Sequence, residues 1–253
     1  MRTGASSLHG HARVGSGVAA EYDIGAEITQ LSAAEIRRLT GATLPLADFS
    51  GTLRARGPAA AVVLEAALAS TAGEIGLGGS VDLARVPPVY DLAATLTHLD
   101  AAALLGPTRP VTDLNGTFAV AGSGTRFEEA AGTIALALRD SNVAGTALAE
   151  LAVHGKVAAR AVEFDASAVT AVGKARARGT VSVAQQRYDV RVSAAEFDPT
   201  PYLNRSDIGA RVNGTLALVG TGFALETMRA KAELVLAPSR IGAIEIRDAR
   251  ADL

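Results

Sequence analysis

Apolar and polar residues alternate with a period of two along most of this chain. In one segment Leu92 and Leu96 fall on one side, whereas Asp91 and Thr95 fall on the other. The alternation assigns a further set of apolar residues to one face: Phe118, Val120, Ile134, Leu136, Leu138, Val190, Val192, Leu216, Leu218, Leu234, Leu236, Ile244 and Ile246. Period two is typical of strands with two different faces. The pattern predicts an all-β, mostly antiparallel sheet with one apolar and one polar face.

The chain contains an internal repeat. Residues 90–124 return farther along, and four positions recur at an offset of 98 residues: Tyr90 and Tyr188, Asp100 and Asp198, Asn115 and Asn213, Gly122 and Gly220. A weaker copy begins at Tyr22 and closes near Gly57. Repetition at a fixed period indicates supersecondary units that stack on their neighbours to bury a shared face. We therefore expect one continuous array over residues 18–253, with copies at 18–78, 79–178 and 179–253, the last one incomplete.

Each copy carries signals for one short capped helix. Ser32 begins a capping box of sequence Ser-Ala-Ala-Glu. Asp100 stands before a short apolar run in the second copy. In the third copy Asp198 is followed by Pro199, a residue favoured at the first helical position. The sequence predicts helices near residues 32–39, 100–105 and 199–203.

The N-terminal segment, residues 1–17, is small and polar, and we expect it to be mobile. His9 and His11 have a spacing that could hold a metal, but a solvated terminus is the favoured interpretation. The segment lacks the apolar core of a secretory signal, and no stretch has the roughly 20 apolar residues of a membrane span. The alternating pattern is still running where the chain stops, so we expect a fragment of a longer array.

Composition narrows the classes of function. Hydrophobic residues make up 49% of the chain but aromatic residues only 4%, so the apolar surface is mainly aliphatic. The formal net charge of -2 gives no overall basic field of the kind that binds nucleic acid, and we expect no nucleic-acid partner. The absence of cysteine excludes disulfides, thiolate metal sites and cysteine nucleophiles.

No residue pattern points to catalysis, a cofactor or a metal. The glycine clusters at residues 76–79 and 122–124 are not followed by a helix, which a phosphate-binding loop requires. No nucleophile-elbow motif is present, and the histidines form no H-E-x-x-H motif and adjoin no acidic cluster. We therefore predict a protein that is not an enzyme, with no cofactor and no metal.

Two Asn-Gly-Thr sequences occupy the same place in two copies. Asn115 and Asn213 are formal glycosylation acceptors, and each also begins an Asn-Gly turn signal. We predict a turn or a β-bulge at these positions, because both Asn and Gly tolerate a positive backbone φ.

An antiparallel sheet can hide one apolar face in two ways. It can fold over on itself into a closed core, or another molecule can cover the face. A face without polar anchors suits lipid acyl chains, whose methylenes contribute about 0.8 kcal/mol each on burial and make no directional demand. The alternative is a structural or adhesive β-repeat protein with a closed aliphatic core and no lipid cargo.

The repeat segments resemble those of a known protein family. The second copy contains LDAAALLGPTRPVTDLNGTFAVAGSG, and the third contains FDPTPYLNRSDIGARVNGTLALVGTG. Their order of strand, capped helix, Asn-Gly-Thr strand, glycine pair and paired strands is similar to that of the AsmA-like superfamily. The resemblance is closest to the repeat segments of its translocation and assembly module members, the TamB proteins, and it covers nearly all of the chain from about Val18 onward.

The resemblance implies an elongated β-sheet that curves into an open hydrophobic groove, a β-taco, with one short helix per repeat. The implied function is phospholipid transport to the outer membrane and assembly of that membrane. The implied location is the periplasm, with an inner-membrane anchor outside this chain and with inner- and outer-membrane partner proteins of an assembly module. The groove would be lined by Leu92, Leu96 and the other apolar residues of the alternating set, and it would hold phospholipid acyl chains.

Overall fold

The computed structural model describes residues 2–3, 6–15, 20–35, 47–106, 110–158, 160–200, 209–223 and 228–252. The first strands are β1 (Arg2–Thr3), β2 (Ser6–Val14), β3 (Glu21–Leu31), β4 (Phe49–Pro58), β5 (Val62–Ser70), β6 (Gly73–Asp82), β7 (Val89–Leu99), β8 (Thr112–Ser123) and β9 (Ala131–Val143). They are followed by β10 (Thr146–Ala158), β11 (Ala161–Thr170), β12 (Gly173–Ser182), β13 (Arg187–Phe197), β14 (Ala210–Thr221), β15 (Arg229–Leu236), β16 (Ser239–Ile241), β17 (Ile244–Ile246) and β18 (Ala249–Asp252). A 3-10 turn (Ala59–Ala61) and the helix α1 (Ala101–Leu105) complete the described elements.

The chain divides into two compact units. Unit 1 comprises Met1–Arg126 and Leu136–Ala147, and unit 2 comprises Phe127–Ala135 and Leu148–Leu253. In unit 1, β2 to β8 pair in chain order, and each strand runs antiparallel to the next. In unit 2, β10 to β15 do the same, while β16 pairs with β14 and β18 pairs with β15. The predicted all-β antiparallel fold is confirmed.

The N-terminal residues that we expected to be mobile include a paired strand. Strand β2 runs antiparallel to β3, with His9 opposite Glu27 and His11 opposite Gly25. The strand alternates Leu8 and small residues with polar ones, a weak pattern that composition alone does not distinguish from a solvated tail. Pairing satisfies the backbone N–H and C=O groups that a free terminus would leave to water.

The offset of 98 residues is a structural repeat. Strands β7 and β13 each have 11 residues, and β8 and β14 each have 12. The hydrogen bonds outside the strands recur as well, since Gly124 donates to the carbonyl of Pro88 and Gly222 donates to the carbonyl of Gln186. Both copies therefore fold into the same strand pair, with the same hydrogen bond beside its outer end.

Asn115 and Asn213 lie inside strands and hold a bulge in the strand before them. The register shifts between Leu96 and Leu99 in β7, and again at the matching place in β13. The side-chain Oδ1 of Asn115 accepts the backbone N–H of His98 at 2.9 Å, and Asn213 accepts that of Glu196 at 2.8 Å. The bulge lies in the strand before each asparagine and not at the Asn-Gly pair, where no turn is found either, although Gly116 has a positive φ of 155°. The left-handed conformation falls on the bulged residues, with φ of 51° at His98 and 55° at Glu196.

A buried serine completes each of these arrangements, Ser141 on β9 and Ser239 on β16, and we call them the Asn–Ser clasps. The backbone N–H of Asn115 donates to Ser141 Oγ at 2.9 Å, and that of Asn213 donates to Ser239 Oγ at 2.9 Å. The Ser141 hydroxyl donates to the carbonyl oxygen of Arg139 at 3.0 Å, and the Ser239 hydroxyl donates to the carbonyl oxygen of Ala237 at 2.7 Å. The clasps tie three strands together at the bulge.

The predicted helix at residues 100–105 is confirmed. Asp100 Oδ1 accepts the N–H of Ala102 at 2.9 Å, and α1 ends at Gly106, whose φ is 109°. The same carboxylate accepts the N–H of Thr112 at 3.1 Å, so one side chain caps α1 and fixes the start of β8. Asp100 therefore joins the end of β7 to α1 and to the start of β8.

The other two predicted helices lie partly outside the described residues. Residues 33–35 are helical, and the N–H of Ala33 donates to Asp48 Oδ1 at 2.9 Å, so a cap comes from the segment before β4. Asp198 Oδ1 accepts both the N–H and the hydroxyl of Thr200, at 2.9 and 2.6 Å. Residues 36–46 and 201–208 fall outside the described part of the chain.

Candidate functional site

Strand register gathers the apolar residues of unit 1 onto one face. Residues directly opposite each other in antiparallel strands point to the same side of the sheet, so the register defines transverse rows. Three such rows contain only apolar residues and glycine: Leu8, Ile28, Gly51, Leu68, Ile75, Leu96 and Gly116; Gly10, Ala26, Leu53, Ala66, Leu77, Ala94 and Phe118; Ala12, Ile24, Ala55, Leu64, Gly79, Leu92 and Val120. We call this surface the apolar face of unit 1.

Unit 2 has an apolar face built in the same way. Its rows are Gly155, Phe164, Gly179, Val190, Leu218 and Ala232; Val153, Ala166, Ala177, Val192, Leu216, Leu234 and Ala251; Leu151, Ala168, Ala175, Ala194, Gly214, Leu236 and Ala249. No titratable side chain interrupts these rows. The apolar face of unit 2 is therefore continuous across seven strands.

The two apolar faces are only partly protected from solvent. Most of their strand residues are half-buried, and Leu53 and Leu216 keep 38% and 37% of their accessible surface. Among the described residues no large side chain is fully buried. A closed core normally buries its large aliphatic side chains completely, because native interiors are close-packed. These faces thus have aliphatic surface left to cover.

The structure brings together most of the residues predicted from the sequence. Leu92 lies opposite Val120, Val190 opposite Leu218, and Leu216 between Val192 and Leu234. Leu96, Phe118 and Leu236 occupy the same faces opposite Gly116, Ala94 and Gly214. All of these predicted residues belong to the apolar rows.

Of the remaining predicted residues, Leu138 on β9 adjoins Gly116 at the end of an apolar row, whereas those on β17 have a different placement. Ile134, Leu136 and Leu138 lie on β9, where Leu138 is buried at 3% exposure. Ile244 and Ile246 lie on β17, which pairs with the short strand β16 and belongs to none of the rows. Ile244 is 67% exposed. The alternating pattern alone did not separate β17 from the longer strands, because three residues carry too little periodicity.

Sequence reasoning missed the apolar residues of β2 to β6 and of β10 to β12. In β5 and β6 these are Leu64, Leu68, Ile75 and Leu77, and in β10 they include Val153. Their strands alternate large aliphatic residues with Ala and Gly, so the contrast between the two sides is low. Scoring the alternation with Ala and Gly as neutral positions would have found them.

The opposite face of each sheet is polar and carries ion pairs. In unit 2 the Arg176 guanidinium contacts the carboxylate of Asp165 through Nε and Nη2, at 3.0 and 2.5 Å. This hydrogen bond lowers the pKa of Asp165 and raises the pKa of Arg176. In unit 1 a hydrogen bond with His11 lowers the pKa of Asp23, whose Oδ1 also lies 3.4 Å from Arg56 Nε. These pairs are exposed and contribute little to stability.

A recess of about 650 Å³ opens in unit 2 between β10 and β13. Its lining includes Lys156, Arg178, Thr180 and Arg191, together with acidic side chains and the glycines of the neighbouring row. Among the described residues there is no group of three or more His, Asp or Glu side chains that could hold a metal ion. In the same part of the chain no helix is long and apolar enough to cross a membrane.

Comparisons with known proteins returned no relative. No protein-family model matches the chain, and no curated protein and no solved structure matches it.

Proposed function

We propose that this chain is a segment of an AsmA-like protein of the TamB type, and that its apolar faces shield phospholipid acyl chains. In this proposal the sheet curves into an open groove, and acyl chains lie along the aliphatic rows. The full-length protein works in the periplasm, is anchored in the inner membrane by a segment outside this chain, and serves phospholipid transport to the outer membrane and its assembly. Its partners are the inner- and outer-membrane proteins of an assembly module.

The observation that carries the proposal is the partial exposure of uninterrupted aliphatic rows. Leu53 and Leu216 each keep more than a third of their accessible surface although they occupy the middle rows. Burial of apolar surface is favourable by about 25 cal/mol per Å², so such rows gain free energy when an apolar ligand covers them. Acyl chains fit because the rows offer methyl and methylene groups but no polar side chain that would select a head group.

The similarity of the repeat segments to the AsmA-like superfamily supports the same function. The structural repeat at 98 residues agrees with a unit that can be added many times along one chain. Repetition of this kind suits a protein whose apolar surface extends over a distance set by the number of its units.

The first prediction concerns Leu92→Asp in the apolar face of unit 1. A carboxylate among acyl chains is costly to desolvate, so we expect the variant to lose bound phospholipid. Folding should persist, because an open face lets water reach the charge. The measurement is phospholipid that co-purifies with the natively prepared protein, quantified by mass spectrometry, beside the thermal midpoint of unfolding.

Ala93→Asp is the matched control, because Ala93 is exposed on the polar face and lies opposite Ala119 and Gly78. It should keep both the lipid load and the thermal midpoint of the parent. If Leu92→Asp instead unfolds the protein and no lipid is found on the parent, the face is a closed core. That outcome favours the structural or adhesive β-repeat protein without lipid cargo.

A further inference from the structure

The polar face of β12 and β13 carries a concentration of positive charge that the overall composition conceals. Alternate residues of the two strands point to this side, and five of them are cationic: Lys174, Arg176, Arg178, Arg187 and Arg191. These two strands add two carboxylates to the same side, Asp189 and, at the bulge, Glu196, which pairs with Arg211. We call this surface the β12–β13 basic patch.

The repeat provides an internal comparison, which indicates that the fold does not require these charges. Strands β6 and β7 of unit 1 have the same lengths and the same register as β12 and β13. Gly78 lies opposite Ala93 in unit 1, at the place where Arg178 lies opposite Arg191 in unit 2. The same strand pair therefore forms without Lys or Arg, with Glu74, Asp82 and Asp91 on its polar face, and strand pairing alone does not explain the arginines.

The charges in the patch are partly neutralised by carboxylates of the neighbouring strand. Among the patch residues that the structure describes, Arg176 forms an ion pair with Asp165, the same carboxylate lies opposite Arg178 in the register, and Glu163 lies opposite Lys156. Like charges directly opposite each other destabilise a sheet, as for Arg178 and Arg191. In unit 1, by contrast, Arg56 lies opposite Asp23 and within 3.4 Å of it. The patch keeps an unfavourable arrangement that an anionic ligand would relieve.

The chemistry of the patch favours phosphate groups. Arginine presents a planar fork that binds phosphate oxygens through two hydrogen bonds, and four of the five cations are arginines. The recess of about 650 Å³ lies at the patch, and its lining includes Arg178, Arg191 and Lys156 together with the carboxylates of Glu163, Asp165 and Asp189. Its cationic side chains can contact a phosphate that is presented from outside the sheet.

We propose that the β12–β13 basic patch docks unit 2 onto the phosphate head groups of an anionic phospholipid membrane. Strands β12 and β13 are flanked by β11 and β14, so they cannot enter a nucleic-acid groove as a two-stranded ribbon or pair with a peptide as a free edge. Each row of the patch ends on neutral side chains of β14, such as Ala217 opposite Arg191. This interaction is distinct from acyl-chain binding, because it uses the opposite face of the sheet.

The test is sedimentation of the full chain with vesicles of equal parts phosphatidylcholine and phosphatidylglycerol. The parent should bind these vesicles, bind phosphatidylcholine vesicles weakly, and be released by added salt. Each basic side chain near an anionic surface strengthens binding by about fivefold. The double variant Arg178→Ala, Arg191→Ala should therefore bind about 25-fold more weakly, whereas the lysine versions at both positions should retain most of the binding.

The double variant Arg54→Ala, Arg56→Ala is the matched control, because it removes the same charge from β4 of unit 1. An equal loss of binding in this control, or parental binding by the β12–β13 alanine variant, would overturn the proposal. So would patch-dependent binding to single-stranded DNA or to polyglutamate without binding to vesicles. Far-ultraviolet circular dichroism checks that each variant is folded. Leu92→Asp should bind anionic vesicles like the parent, because it changes only the apolar face. A failure of acyl-chain binding is therefore distinguishable from a failure of membrane docking.

Discussion

At the scale of single residues, a few polar side chains determine where the strands bend. Asn115 accepts the N–H of the bulged His98, while its own N–H donates to Ser141. Ser141 is only 5% exposed, so losing its hydrogen bond with Asn115 costs free energy that a water molecule does not restore. The equivalent contacts recur around Asn213 and Ser239. Polar residues in the clasps therefore have a structural role rather than a catalytic one.

Ser141→Ala tests this role. The substitution leaves the N–H of Asn115 without its partner in a buried position, which costs about 1–3 kcal/mol. We expect a corresponding loss in the free energy of unfolding in urea, and a similar loss for Ser239→Ala. Ser167→Ala is the control, because Ser167 is exposed on β11. Equal stability of Ser141→Ala and Ser167→Ala would contradict a structural clasp.

The carboxylate of Asp198 makes stability depend on pH. The hydrogen bond from the Thr200 hydroxyl, followed by that from the Thr200 N–H, lowers its pKa below the ordinary value. A lowered pKa in the folded state stabilises the protein above the unfolded-state pKa of about 3.9, and the contribution disappears as the pH falls through the folded-state pKa.

The stability difference between the parent and Asp198→Asn should therefore be constant above about pH 5 and shrink below about pH 4. Denaturant unfolding at a series of pH values measures it. In the parent, Thr200→Val should weaken the dependence of stability on pH, because the variant lacks the hydroxyl that donates to Asp198. In the Asp198→Asn background, the same substitution should leave the dependence of stability on pH unchanged. A difference that does not vary with pH would show that the hydrogen bonds to Asp198 do not favour its charged form.

At the scale of elements, the turn before β6 and the bulge in β7 fit each other closely. Gly73 has a φ of 115°, and a Cβ at this position would lie 2.5 Å from the carbonyl oxygen of His98. Gly173 repeats the arrangement. Its φ is 127°, and a Cβ at this position would lie 2.5 Å from the Cα of Phe197. Both contacts are with backbone atoms, which cannot rotate away. Glycine is required here because the bulge of one strand touches the first residue of its neighbour.

Gly73→Ala should consequently destabilise unit 1 by at least about 2 kcal/mol, through the left-handed conformation and the clash together. The matched control is Gly78→Ala on the same strand, where a Cβ would meet nothing within 4 Å. The control should be neutral or slightly stabilising, since alanine restricts the unfolded chain. Urea unfolding of both variants distinguishes them, and equal midpoints would rule out the close contact.

At the scale of the whole molecule, one folding unit is used more than once with different surface chemistry. Each unit has an apolar face made by strand register, and the face needs no particular large side chain because Ala and Gly fill many positions. The polar faces differ, since β12 and β13 carry the basic patch where β6 and β7 carry Glu74, Asp82 and Asp91 and no Lys or Arg. Leu92→Asp and the β12–β13 alanine variant probe the two faces independently.

The sequence by itself indicated strands β7 to β9 and β13 to β15, their two faces and the cap at Asp100, because these depend on near neighbours in the chain. It also showed the offset of 98 residues, because the same residue types recur. Tertiary structure alone decided which residues stand opposite one another. It placed a left-handed residue at His98, in the strand before Asn115, paired β2 with β3, and brought Arg178 of one strand against Arg191 of the next. Register joins positions far apart in sequence, so local periodicity carries no information about it.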